Sequence, residues 1–375
     1  MLFQNARYLN ERFEFVVGGF EVENGRFTRV FEGLTSEPGV NLEGRLVLPG
    51  LIDVHNHGNS GADFSDGDYE GLKKMARYLA KAGVTSFAPA SMTLPYGVLS
   101  RAFATAKQLC EEKPAGHARL LGIQMEGPFF SEKKKGAQNG EYLRLPDYDA
   151  FRKLNDECGG LVKIVDVAPE LDGAIDFVRR AAKDCTVSVA HTDSDYDHAR
   201  AAFDAGATHL THLYNGMPSI HHRSPGVIPA AVENPKVRAE IICDGIHIHP
   251  AAIRLAFSMF GAERMILISD ALRCCGMPDG KYELGGQDVF LEGKTCRIAS
   301  GSLAGSVTNL FDCMKNAVHF GIRLEDAVRA ASYNPACALG VQDSVGSIAV
   351  GKHADFLVCD DELNREAVYL DGEKL

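Results

Sequence analysis

The chain contains no tryptophan, no cysteine pair at CxxC spacing and nowhere a run of about 18 uncharged apolar residues. Its ten cysteines are scattered, with Cys274-Cys275 the one adjacent pair, so neither a disulfide framework nor a thiolate zinc site is indicated. They read as small core residues. The missing apolar run argues against a membrane helix. The opening Met1-Leu2-Phe3-Gln4-Asn5-Ala6-Arg7 lacks the basic and apolar regions of a signal peptide, which leads us to expect a cytoplasmic protein. Positive charge is scarce too: 39 Lys and Arg stand against 50 Asp and Glu, a formal net charge of −11. That field disfavours nucleic acid as a partner. An anionic small molecule would need a local nest of Arg, His and backbone N–H groups.

What is present is an ordinary globular composition, 45% hydrophobic and 24% charged over 375 residues. This length suggests one large domain with a small appendage. Residues 1–50 show short alternating runs such as Phe13-Glu14-Phe15-Val16-Val17, separated by turn residues such as Glu23-Asn24-Gly25-Arg26, which is hairpin chemistry. From Leu51 the pattern changes to short apolar strands, most followed by an amphipathic stretch, the signature of a buried parallel sheet. Eight such strands are predicted, at 51–57, 84–91, 120–126, 162–168, 186–191, 208–213, 240–245 and 265–270. Helices are predicted at 69–82, 174–183 and 196–205, and, after a glycine-rich hairpin at 281–298, at 306–320 and 324–331. From Val345 a β pattern returns. The expected fold is therefore α/β, a (β/α)8 barrel over 51–344, with a small β domain built from 1–50 and 345–375.

Chemistry collects at the predicted strand ends. The first ends in Asp53-Val54-His55-Asn56-His57-Gly58, the third in Glu126, the fifth in His191, the sixth in His212 and the eighth in Asp270. In a parallel barrel these ends converge on one face, where active sites of that architecture lie. Imidazoles at i and i+2 of a strand share a side, which suits two ligands of one metal. Four histidines with two carboxylates are the donors of Zn²⁺ or Fe²⁺ rather than of Mg²⁺ or Ca²⁺. His209, His249 and His319 read instead as hydrogen-bonded core residues.

Ile52-Asp53-Val54-His55-Asn56-His57-Gly58 resembles the opening motif of the amidohydrolase superfamily. Further stretches, in order, narrow the likeness: Gln124-Met125-Glu126-Gly127-Pro128-Phe129, Lys135-Gly136-Ala137, Thr211-His212-Leu213-Tyr214-Asn215-Gly216-Met217, His222-Arg223-Ser224-Pro225-Gly226, Asp244-Gly245-Ile246-His247 and Gly301-Ser302-Leu303-Ala304-Gly305-Ser306. Together they resemble the N-acetylglucosamine-6-phosphate deacetylase family, from the first strand to the closing Gly351-Lys352-His353-Ala354-Asp355.

The resemblance implies a barrel carrying a β-sandwich made from both termini, and removal of an N-acetyl group from a phosphorylated amino sugar. It implies that Glu126, His191 and His212 hold the principal divalent metal, and that His55 and His57 hold a second one bridged by Glu126. One or two ions per subunit, Zn or Fe, are expected. Asp270 matches the catalytic aspartate, suited to take a proton from water and return it to the leaving nitrogen. His247 matches a residue facing the acetyl carbonyl. Ala137, Leu303, Ala304 and Gly305 match positions lining the sugar. Arg223, beside His221 and His222, matches a phosphate ligand contributed across a homodimer interface, with backbone groups of Asn215 and Gly216 helping.

Some amidohydrolases bridge two metals with a carboxylated lysine at the end of strand four; here Lys163 stands near that strand's start, which makes Glu126 the better bridge. Two features depart from the resemblance. Gln138 stands where the family often has His, and the loop after Asp270 carries Cys274 and Cys275, read as buried packing thiols. Three alternatives stay open: the same chemistry on the galactosamine epimer, a cyclic-amide or aminoacyl amidohydrolase, and a catalytically silent scaffold or sugar-phosphate sensor.

Overall fold

The computed structural model describes residues 1–375. Its centre is parallel β-structure. One sheet has the order Arg119–Leu120, Val84–Pro89, Leu51–Asn56, and a second runs Ile123–Met125, Val162–Val167, Thr186–Val189, His209–Leu210, Arg238–Ile242, Met265–Ile268. Single parallel bridges, Ala90 with Gln124 and Asn56 with Ala271, link the two sheets at their two seams. At one seam the Asp270 N–H donates to His55 O at 2.9 Å, and Ser269 Oγ donates to Asp53 Oδ2 at 2.5 Å, so the last strand returns to the first. Ile52, Val54, Ala88, Ile164, Ile242, Ile266 and Ile268, drawn from five of these strands, form one buried cluster.

The strands are rich in apolar residues and are covered on both faces. Leu51–Asn56, Val84–Pro89 and Met265–Ile268 are buried throughout, as helix-covered parallel strands must be. Helices fill the connections and start where the sequence supplies a cap. Asp68 accepts the Glu70 and Gly71 N–H groups ahead of Tyr69–Lys81, and Asp195 accepts the His198 N–H ahead of Tyr196–Ala205, which ends at Gly206. No helix is long and apolar enough to cross a membrane.

Both ends of the chain enter one further sheet, ordered Glu373–Lys374, Arg365–Leu370, Phe356–Cys359, Leu46–Pro49, Leu2–Leu9, Phe15–Glu23, Arg26–Glu32, with Val40–Asn41 beside Leu2–Leu9. Leu46–Pro49 and Phe356–Cys359 pair antiparallel with Val47 opposite Val358. Phe3, Phe20, Phe27 and Phe356 form the aromatic centre of this sheet's own core.

Several sequence expectations shift. The predicted strand 120–126 is two pieces, Arg119–Leu120 and Ile123–Met125, and all eight predicted strands end one to three residues early. The hairpin expected at 281–298 is a three-stranded meander, Gly280–Leu284, Gln287–Glu292 and Thr295–Ile298. An unforeseen helix, Tyr333–Ala338, follows Leu324–Ala331. Of the three histidines read as core residues only His209 is one; His249 caps Pro250–Phe260 at the surface and His319 is exposed.

Candidate metal centre and cleft

Shortened strands place the chemistry in the loops just beyond them. His55 lies within Leu51–Asn56, and His57, Glu126, His191, His212 and Asp270 follow their strands by one or two residues. His191, His212 and Asp270 take φ of 43°, 29° and 48°, left-handed backbone that His and Asp tolerate better than β-branched residues do. Such strain recurs at functional sites, where the surroundings hold it in place.

Glu126 is the hub. Its Oε1 lies 3.1 Å from His191 Nε2, 3.2 Å from His212 Nε2 and 3.6 Å from His55 Nε2, while Oε2 lies 3.3 Å from His57 Nε2. Asp270 Oδ1 stands 3.3 Å from His57 Nε2 and 3.7 Å from His55 Nε2. All six side chains are buried.

Each histidine is turned by a partner on its other nitrogen. His57 Nδ1 is 3.2 Å from Ala90 O, His191 Nδ1 is 2.8 Å from Lys134 O, and His212 Nδ1 is 3.1 Å from Asn215 O. A carbonyl only accepts, so each Nδ1 carries a proton and a neutral ring offers its Nε2 lone pair to the centre. His191 Nε2 and His212 Nε2 then face each other at 3.0 Å as two lone pairs. His55 Nε2 is buried with no hydrogen-bond partner. A cation among these nitrogens answers both problems. Two groups, His55–His57–Glu126 and Glu126–His191–His212, have donors close enough to share an ion, so the residues fit a divalent metal.

Charge points the same way. Burial pushes the carboxyls of Glu126 and Asp270 up, but the positive environment of the surrounding imidazole cluster more than offsets this, holding Glu126 well below the usual range and Asp270 low. Glu240 adds a third buried carboxylate, its Oε2 3.0 Å from His55 Nδ1 and accepting the His212 N–H at 3.2 Å, its Oε1 3.0 Å from His209 Nε2. Buried anions of this kind require positive charge nearby.

Above the centre opens a cleft of about 150 Å³ lined by Ala137, Asn215, Gly216, His247, Leu303, Ala304 and Gly305, together with His57, Glu126, His191, His212 and Asp270. Two glycines are required by close approach. A Cβ on Gly216, whose φ is +61°, would lie 3.0 Å from His191 Nδ1, and one on Gly305 would meet Asp270 O at 2.5 Å. His247 Nδ1 donates to Asp244 Oδ2 at 2.7 Å and its Nε2 is 2.8 Å from Ala304 O, so the imidazole holds two protein partners. Arg223 is not brought to this cleft. It is exposed, with Nη1 2.8 Å from His222 Nε2. Lys163 Nζ donates to Gly160 O and takes no part. Cys274 and Cys275 are buried, Cys274 Sγ 3.7 Å from Cys296 Sγ and Cys275 Sγ bonded to Thr308 O, packing the loop behind Asp270.

Sequence reading missed Glu240 and Asp244 as site residues. The signal for Glu240 was a carboxylate inside an apolar strand, Arg238–Ile242, where a charge persists only with partners. For Asp244 it was the spacing: its Oδ1 accepts the Ile246 and His247 N–H groups, the Asx turn that presents His247.

The sequence pattern of the amidohydrolase family matches residues 46–374. The chain belongs to the amidohydrolase family. Among curated relatives, this amidohydrolase is 41% identical over 317 residues to the N-acetylglucosamine-6-phosphate deacetylase of Bacillus subtilis, covering 84% of this chain and 80% of that one. It is 36% identical over 333 residues to the N-acetylgalactosamine-6-phosphate deacetylase of Escherichia coli O157:H7, covering 88% of each. Among solved structures it superposes on a variant of the N-acetyl-D-glucosamine-6-phosphate deacetylase of Mycobacterium smegmatis in complex with N-acetyl-D-glucosamine 6-phosphate, with a TM-score of 0.94 at 33% identity over 100% of this chain and 98% of that one.

Proposed function

We propose that this amidohydrolase hydrolyses N-acetyl-D-glucosamine 6-phosphate to D-glucosamine 6-phosphate and acetate, as a cytoplasmic enzyme of amino-sugar catabolism and cell-wall recycling. The observation that carries the proposal is the meeting of His55, His57, Glu126, His191 and His212 with Asp270 under one cleft. The relatives' names supply the substrate class. In the same proposal residues 51–344 are a closed (β/α)8 barrel, and 1–50 with 345–375 form a β-sandwich domain.

Glu126, His191 and His212 would hold the principal ion, and His55 with His57 a second one bridged by Glu126. A divalent ion there, Zn²⁺ or Fe²⁺, would polarise the acetamide carbonyl and acidify water. The anionic Asp270 would accept a proton from the attacking water. As the oxygen–carbon bond forms and the carbon–nitrogen bond breaks, Asp270 would return that proton to the nitrogen, releasing the amine and acetic acid, which ionises to acetate. His247 would exchange Ala304 O for the acetyl carbonyl and donate to the developing oxyanion. Ala137, Leu303, Ala304 and Gly305 would seat the sugar. The phosphate would lie by Asn215 and Gly216 and receive Arg223 from the second subunit of a homodimer.

The test is acetate release from a panel of N-acetylated hexosamines, phosphorylated at carbon six and not, with metal content measured on the same sample. Release from the 6-phosphates is the expected result; none from any of them by metal-loaded protein would overturn the proposal and leave a silent scaffold. The galactosamine epimer is a second reading, favoured by the Escherichia coli relative, and the panel separates the two.

A further inference from the structure

Gln138 stands where the family often has His, and the proposed catalytic steps make no use of it. Its side chain is buried beside the metal centre, with two partners of opposite character. The Thr93 backbone N–H, which can only donate, lies 2.7 Å from Gln138 Oε1. That contact decides the orientation of the amide: oxygen toward Thr93, and therefore NH₂ toward Glu126. Gln138 Nε2 then donates to Glu126 Oε2 at 2.6 Å.

A glutamate carboxylate rotates freely about its last bond unless something holds it. Here Oε1 faces His191, His212 and His55, and Oε2 faces His57 at 3.3 Å with Gln138 as its nearest donor. The side-chain amide is anchored through the Thr93 N–H, and the residue itself is held by its backbone N–H, which donates to Lys135 O at 2.9 Å. We infer that Gln138 is a positioning residue that holds the Glu126 carboxylate in the bridging rotation, and so decides whether the His55–His57 pair keeps its own ion. The inference rests on the two-ion proposal above. Donation to Oε2 leaves Oε1 unshared for the His191–His212 ion, so loss of Gln138 acts on the His55–His57 ion first.

The variants are Gln138→Met, of similar length with no comparable donor, and Gln138→Ala. Each apoprotein is titrated with Zn²⁺, reading both dissociation constants by calorimetry and the bound stoichiometry by elemental analysis. Mn²⁺-loaded samples are examined by electron paramagnetic resonance for a spin-coupled pair, and thermal midpoints confirm folding. Wild type is expected to bind two ions, and the variants to keep the tighter site within about threefold while the weaker site loses about 10- to 100-fold and the coupled signal disappears. Two ions at unchanged affinity in folded variants would overturn the inference, and so would equal weakening of both sites. Wild type that binds a single ion would refute the two-ion proposal and this inference with it, a result distinguishable because the variants play no part in it.

Discussion

Glu240 Oε2 accepts from His55 Nδ1 at 3.0 Å and, with the same oxygen, from the His212 backbone N–H at 3.2 Å, so one buried carboxylate steadies both halves of the metal centre. Burial pushes this carboxyl up, but its interactions with His55 and His209 more than offset that and hold it well below its usual range. Glu240→Gln presents an NH₂ group toward a donor. Metal affinity should fall about 10- to 100-fold, and the folded chain should lose about 1–3 kcal/mol from an unsatisfied buried group. Chelator competition and thermal unfolding measure the two effects; unchanged affinity would show that Glu240 only fills space.

Asp270→Asn keeps the size of the side chain at the strand end and removes its capacity to take a proton. Turnover should drop by about 10² to 10⁴ while fold and metal content persist. Near-normal activity in a preparation free of wild type would refute the assignment.

Chelation should abolish activity, and Zn²⁺ or Fe²⁺ should restore it. The apoprotein should also melt at lower temperature, because Glu126, Asp270 and Glu240 would then be buried together without a cation, and binding to the native state alone stabilises it. Up to two ions per chain should return on reloading. Full activity after exhaustive metal removal would sink the proposed chemistry.

Arg223 lies outside its own chain's cleft, and the whole protein is acidic, so phosphate must be recognised by a few close charge-assisted bonds. Arg223→Ala should lower kcat/KM by about tenfold to a few hundredfold on the 6-phosphate and leave the unphosphorylated sugar nearly unaffected. Mixing Arg223→Ala with Asp270→Asn chains should recover part of the activity, since some heterodimers contain one complete site. Equal loss on both sugars would make Arg223 structural, and selective loss without recovery would place it in its own subunit's site.

His247 sits between two acceptors, Asp244 Oδ2 and Ala304 O, which suits the imidazolium. Burial lowers its pKa, but the Asp244 hydrogen bond and charge outweigh this, leaving it above the ordinary 6.5. A folded value above the unfolded one stabilises the protein fully below about pH 6.5, and that contribution is lost as pH rises through the folded value. The difference in thermal midpoint between wild type and His247→Gln should therefore shrink from about pH 6 to about pH 9. A difference that grows over that range would reverse the sign and the assignment.

Much of this was legible in residue order. Apolar runs marked the parallel strands because strands covered on both faces have no room for alternation, and His55, His57, Glu126, His191, His212 and Asp270 stood out because each follows such a run. Strand lengths were overread at the same places. The left-handed turns at His191, His212 and Asp270 end the ladder before the functional residue, and nothing in the local pattern distinguishes the last paired residue from the first turned one.

Composition and order by themselves determined the donor chemistry, the parallel α/β pattern and the pairing of a β-rich beginning with a β-rich end, since these depend on side-chain type and on periodicities of a few residues. Only the tertiary structure decided which histidine nitrogen faces the centre, that Glu240 rather than solvent receives His55, that Gln138 holds Glu126, and that Arg223 stays out of its own chain's cleft. Those outcomes hang on hydrogen bonds between residues tens to hundreds of positions apart, such as His55 with Glu240 and Gln138 with Thr93. Such pairs are chosen by how the strands close on one another, a geometry that no local stretch of sequence encodes.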